Sequence, residues 1–149
     1  MNPFDPKTIL FAKHAQHVAL IHFPIALFVA GVVFDFLAQN AKRSSLAVVA
    51  YYNFLAAAIS AAPVIATGIL AWQLQLEGQK PKGILLLHLI FGWASGILIG
   101  VVWYLHFRSR KRSAGSRPLA RLALEAIVVA VVILTGHLGG FISGVNSPN

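Results

Sequence analysis

Four long apolar runs, each closed by a short polar or basic stretch, set the pattern of this chain. They cover about residues 15–38, 46–74, 84–106 and 119–142. A helix needs roughly 20 apolar residues to cross a hydrocarbon layer about 30 Å thick, so each run is long enough to span one. The stretches between are built differently. Residues 39–45 carry Lys42 and Arg43, residues 77–83 (EGQKPKG) have turn chemistry, and residues 108–118 (RSRKRSAGSRP) are strongly basic. Pro24 and Pro63 fall inside the first and second runs and predict local bends. The pattern predicts an all-α fold: one transmembrane domain over residues 1–149, a four-helix bundle running up-down-up-down with no evident internal repeat.

Composition and charge agree with this. Of 149 residues 58% are hydrophobic and 11% charged, and the mean hydropathy is +0.75. A soluble domain normally carries about twice that charged fraction. The net charge of +8 sits in loops beside apolar runs, so the expected partner is an anionic lipid bilayer and not nucleic acid. Four spans place both termini and the second loop on one face, which holds Lys7, Lys13, Lys80 and Lys82. The other face holds Lys42, Arg43, Arg108, Arg110, Lys111, Arg112, Arg117 and Arg121. By the positive-inside rule the second set faces the cytoplasm, and both termini lie on the outer, periplasmic side of a bacterial inner membrane. The N-terminus lacks the basic stretch and short apolar core of a cleaved signal, so no cleavage is expected.

The absence of cysteine excludes disulfides, thiolate-held iron–sulfur clusters and covalent c-type haem. Histidine is then the one strong transition-metal ligand present in any number. By depth, His22 in the first span, His88 in the third and His137 in the fourth fall in one layer near the outer face, with His17 slightly above and His14 higher. A single imidazole in a membrane helix is often a hydrogen-bonded packing residue. Three spans contributing one each at matched depth point instead to a shared ligand site. Steps of four from His88 reach Gly92, Gly96 and Gly100; the same steps from His22 reach Ala26 and Ala30. These stripes also suit ordinary close helix packing, but a histidine continued by small residues makes a groove for a flat ligand such as haem b. His22 and His88 are the preferred axial pair, with His17 and His137 as alternative ligands or supporting partners. His17 and His22 are five residues apart, about 140° around a straight helix, and so do not share a face.

A non-haem metal ion held by His17, His22, His88 and His137 is the competing chemistry. Deeper toward the other end, Asp35 and Glu125 lie within apolar spans, with Asn53 at similar depth and Arg121 one turn from Glu125. They read as a polar cluster that fixes helix packing, with a proton relay as the second reading. His106 reads as an interfacial residue.

The segment HVALIHFPIAL, Thr67-Gly68, His88 and the closing TGHLGG together resemble the small bacterial four-helix membrane proteins of domain-of-unknown-function family 2231. Members usually have proline where this chain has Val18, and rarely a histidine at the position of His137. The resemblance implies a four-helix integral membrane domain, whose relatives are sometimes joined to cytochrome c or Rieske modules. It implies no particular reaction.

The functional expectation is an electron carrier of the b-type cytochrome kind, binding haem between helices near the periplasmic face. A periplasmic cytochrome or a quinone is its expected redox partner. The rival readings are a cofactor-free accessory subunit of a larger membrane redox complex, a metal-ion binder, and a transporter or channel built as a homo-oligomer.

Overall fold

The computed structural model describes residues 15–41, 44–75, 80–110 and 118–144. They form four helices: α1 (Ala15–Ala41), α2 (Ser44–Gln75), α3 (Gly83–Arg110) and α4 (Pro118–Ile142). All four are long and apolar enough to cross a membrane, as the apolar runs predict. Three of them overrun their apolar stretch by a few residues, and α4 by one. The largest extension takes α3 past His106 to Arg110, where the basic last turn favours the negative end of the helix dipole. α1 and α2 continue through Pro24 and Pro63. His14 and the loop residues Lys42, Arg43, Lys111, Arg112 and Arg117 lie outside the described residues, as do Lys7 and Lys13.

Chain neighbours pack against each other, α1 on α2 most extensively, and α1 on α4 closes the ring. Phe28, Ala50, Phe54, Ala57, Ile99, Val102, Val128 and Val132 form the core. Ile59, Ile97, Ile133 and Leu119 are among the large side chains on the outside, where lipid replaces water. Because lipid is as apolar as the core, close packing and polar contacts, not expulsion from water, hold the helices together. Gly31 shows how tight the packing is: a Cβ there would lie 2.8 Å from the Phe54 ring.

The two hairpins repeat one another, contrary to the expectation of no repeat. From 28 to 99, 35 to 106, 54 to 125, 57 to 128 and 61 to 132 the step is the same 71 residues, and all ten positions are buried. The hairpin α1–α2 and the hairpin α3–α4 therefore present these buried positions in the same register.

Candidate cofactor site and buried ionic cluster

At the end of the bundle where α1 and α3 begin, a cavity of about 520 Å³ opens between the helices. Its size falls in the range of roughly 300–1,000 Å³ usual for small-molecule sites. His17, His22 and His88 line it, together with Gly68, Gly92, Gly96, Gly136, Gly139 and Gly140. The glycines leave the volume that side chains fill elsewhere.

His17 and His88 are held alike. His17 Nδ1 donates to the carbonyl of Val64 on α2 at 3.1 Å, with the Thr67 hydroxyl 3.3 Å away. His88 Nδ1 donates to the carbonyl of Thr135 on α4, also at 3.1 Å. Each ring rests on a glycine one turn beyond its acceptor. A Cβ at Gly68 would lie 2.9 Å from His17 Cε1, and one at Gly139 would lie 3.1 Å from His88 Cε1. With Nδ1 carrying the hydrogen, a neutral ring has its lone pair on Nε2, the arrangement found in metal-ligating histidines anchored by a backbone carbonyl. The anchor of His88 is itself braced: the Thr135 hydroxyl donates to the Val131 carbonyl at 2.8 Å and accepts from Ser95 at 2.9 Å.

The other expected site residues are placed differently. His22 touches the cavity but is exposed, and its Nδ1 donates at 2.8 Å to the carbonyl of Val18, one turn back on its own helix. His137 is exposed, stands edge-on to Phe141 and does not line the cavity. Matched depth put His137 in the layer, but its direction around α4 takes it out. Ala26 is exposed and away from the cavity, whereas Gly92 and Gly96 line it. Thus α1 contributes His17 to the interior through its α2-facing side, while the stripe that begins at His22 turns outward.

The family comparison agrees with this architecture. Residues 13–145 match the family described as predicted membrane protein DUF2231. The chain belongs to that family. The match spans all four helices of this family member, so HFPIAL at the cavity and TGHLGG at the end of α4 are parts of one shared domain. No curated protein and no solved structure matches the chain.

Toward the opposite end the helices enclose an ionic cluster. Arg121 Nη2 lies 3.0 Å from both carboxylate oxygens of Asp35, and Gln39 donates to the same carboxylate at 2.6 Å. His106 Nε2 meets Glu125 Oε1 at 2.8 Å, and Arg121 Nε lies 3.8 Å from that oxygen. Asp35 is 1% exposed, His106 5% and Glu125 0%, so solvent does not screen these charges. His106 is therefore not the interfacial residue its position near a span end suggested. His106 points inward from α3, against the Phe54 ring at 4.5 Å. Asn53 stays out of the cluster and donates to the Val49 carbonyl on its own helix. Gln39, which the sequence did not single out, takes part because it lies one turn after Asp35 on α1.

Proposed function

We propose that this membrane protein is an electron carrier of the b-type cytochrome kind, with haem held in the cavity between His17 and His88. The observation that carries the reading is the equivalence of those two rings. Each comes from the first helix of one hairpin, is anchored through Nδ1 to the second helix, and lines the same cavity. A planar ligand between two equivalent halves meets one imidazole from each. His22 was the preferred partner of His88 on spacing alone; its local hydrogen bond and exposure make His17 the better-supported ligand.

Haem bound there would supply a one-electron couple. The chain's own residues do the rest. Val64 and Thr135 orient the two imidazoles. Gly68 and Gly139 let the rings lie close to α2 and α4, and the glycines around the cavity leave room for a macrocycle. Ile21, Ile25, Leu85 and Leu89 make the lining apolar and keep water from it. The test is the absorption spectrum of the purified full chain, with a pyridine haemochrome assay. A Soret band with sharp α and β bands on reduction supports the reading; a colourless protein that remains so after incubation with haem supports the cofactor-free accessory subunit instead.

A further inference from the structure

The ionic cluster poses a problem of charge that the packing role alone leaves open. Four groups act on one another there: Asp35 from α1, His106 from α3, and Arg121 and Glu125 from α4. The second helix, α2, contributes the Phe54 ring, and the nearby Arg110 guanidinium is turned away onto the ring of Tyr51 at 4.3 Å. Among the described residues, two carboxylates thus face one permanent cation. Arg121 is committed to Asp35, with both oxygens at 3.0 Å, and its Nε makes no hydrogen bond to Glu125 at 3.8 Å. Glu125 has no exposure, and its Oε2 has no hydrogen-bond partner among the described residues. A bare carboxylate in such a place is costly, and a buried charge is normally neutralised or paired.

We propose that the His106–Glu125 pair is a proton-binding site, holding one exchangeable proton that balances the charge Arg121 leaves uncompensated. The ligand is a proton from water, and the binding atoms are His106 Nε2 and the two oxygens of Glu125. Whether the proton rests on nitrogen or oxygen, the four groups then sum to zero. Asp35, His106 and Glu125 also bring donor atoms within 4.8 Å of one another, a spacing that a metal ion could bridge. Arg121 argues against this, because its guanidinium already occupies the oxygens of Asp35 and a dication would sit beside it. The proton enters and leaves past Arg121, which is 19% exposed and the most accessible member of the two ion pairs. Occupancy follows the neighbouring charge: loss of a negative group expels the proton, and loss of the cation draws in a second. The inference does not depend on what fills the cavity at the other end.

The experiment counts protons on the cluster in the full chain in lipid nanodiscs at neutral pH. Nitrogen NMR of labelled histidine reads His106, and infrared spectroscopy, assigned with Glu125→Gln, reads the carboxyl groups. The expected total for the pair is one, exchanging in D2O without unfolding. Asp35→Asn frees Arg121 to compensate Glu125 and should lower the total to zero; Arg121→Gln should raise the total over Asp35, Glu125 and His106 to two. A wild-type total of zero or two overturns the proposal, as does a proton that fails to exchange or an Asp35→Asn protein that keeps its proton. If Asp35→Asn does not insert and fold, the Arg121→Gln total decides alone. Binding of one Zn2+ or Mn2+ per chain that is lost in Glu125→Gln would show a metal site in place of a proton site.

Discussion

His17 and His88 occupy matching positions in the two hairpins. Each donates from Nδ1 to a carbonyl 47 residues further on, at 3.1 Å in both cases, and each ring lies against a glycine one turn beyond that carbonyl. From 17 to 88, from 64 to 135 and from 68 to 139 the step is again 71 residues, the step that relates the buried positions. The cavity lies between the two hairpins and is lined by residues of both. At the other end the equivalence is broken: Asp35 stands where the second half has His106, and Phe54 where it has Glu125. One scaffold thus carries a matched pair at one end and complementary partners at the other.

The axial assignment makes the sharpest claim about individual residues. His17→Ala and His88→Ala should each abolish a low-spin haem spectrum, since each removes one of two strong-field nitrogens. His22→Ala and His137→Ala should leave it intact, because the first bonds within its own helix and the second stands outside the cavity. A spectrum that survives His17→Ala but is lost in His22→Ala would restore the pair chosen on spacing. Indifference to all four changes would remove haem from the account.

The glycines under the rings test the same geometry without touching a ligand. Alanine at Gly68 or Gly139 favours the helix by about 1 kcal/mol, so the fold should persist. Its methyl group would press on Cε1 of the imidazole, at 2.9 Å for Gly68 and 3.1 Å for Gly139. Both variants should bind haem more weakly while melting no lower than the parent, with Gly68→Ala the more affected. Unchanged affinity in both would mean that the rings do not depend on these close approaches.

Much of the fold was legible because hydrophobic length is a direct physical requirement of the bilayer. The four apolar runs marked the helices, and Asp35 and Glu125 were conspicuous as charges inside them. The repeat was not legible. Between residues 17–36 and 88–107 only His17/His88, Leu27/Leu98 and Phe36/Phe107 are identical, because lipid-facing and core positions accept any apolar side chain of suitable volume. Depth along a helix could be counted from sequence, but direction around it could not. That is why His137 was placed in the layer, the carbonyl anchor of His17 went unseen, and the partner of Glu125 was missed. The signal that could have found His17 was the match between the pairs His17/Gly68 and His88/Gly139, visible only once two helices are laid against two others.

Orientation rests on the four-to-eight division of Lys and Arg between the two faces. Single cysteines at Ser113 and Ser147, both outside the described residues, report it in this cysteine-free chain. In intact cells a membrane-impermeant thiol reagent should label the Ser147 site and spare the Ser113 site. The reverse pattern turns the protein over in the membrane and puts the cavity on the cytoplasmic side.

The ionic cluster predicts an unequal pair of stability changes. Arg121→Met alone leaves Asp35 with Gln39 as its partner among the described residues, and breaking a buried ion pair in this way costs about 3–5 kcal/mol. Asp35→Leu combined with Arg121→Met removes both charges and should cost far less than the single change. Thermal unfolding in detergent measures both. A double variant as unstable as the single one would mean that Asp35 and Arg121 contribute through separate contacts, and not as a pair.

Filling the cavity separates space from ligation. A Cβ at Gly92 would meet nothing within 4 Å, and Gly92 lines the cavity beside the His88 helix turn. Gly92→Leu therefore starts from open space and directs its side chain toward the cavity. In the ligand-free protein it should raise the melting temperature, because packing contacts replace empty space and drive association in lipid. Haem occupancy should fall severalfold, since the side chain takes volume that the macrocycle needs. Gly100 supplies the control: it lies two turns further along the same stripe, a Cβ there also meets nothing within 4 Å, and it does not line the cavity. Gly100→Leu should bind haem as the parent does. If Gly92→Leu keeps full occupancy, the macrocycle lies elsewhere even if His17 and His88 prove to be essential, and their role is then to hold the two helices of each hairpin together.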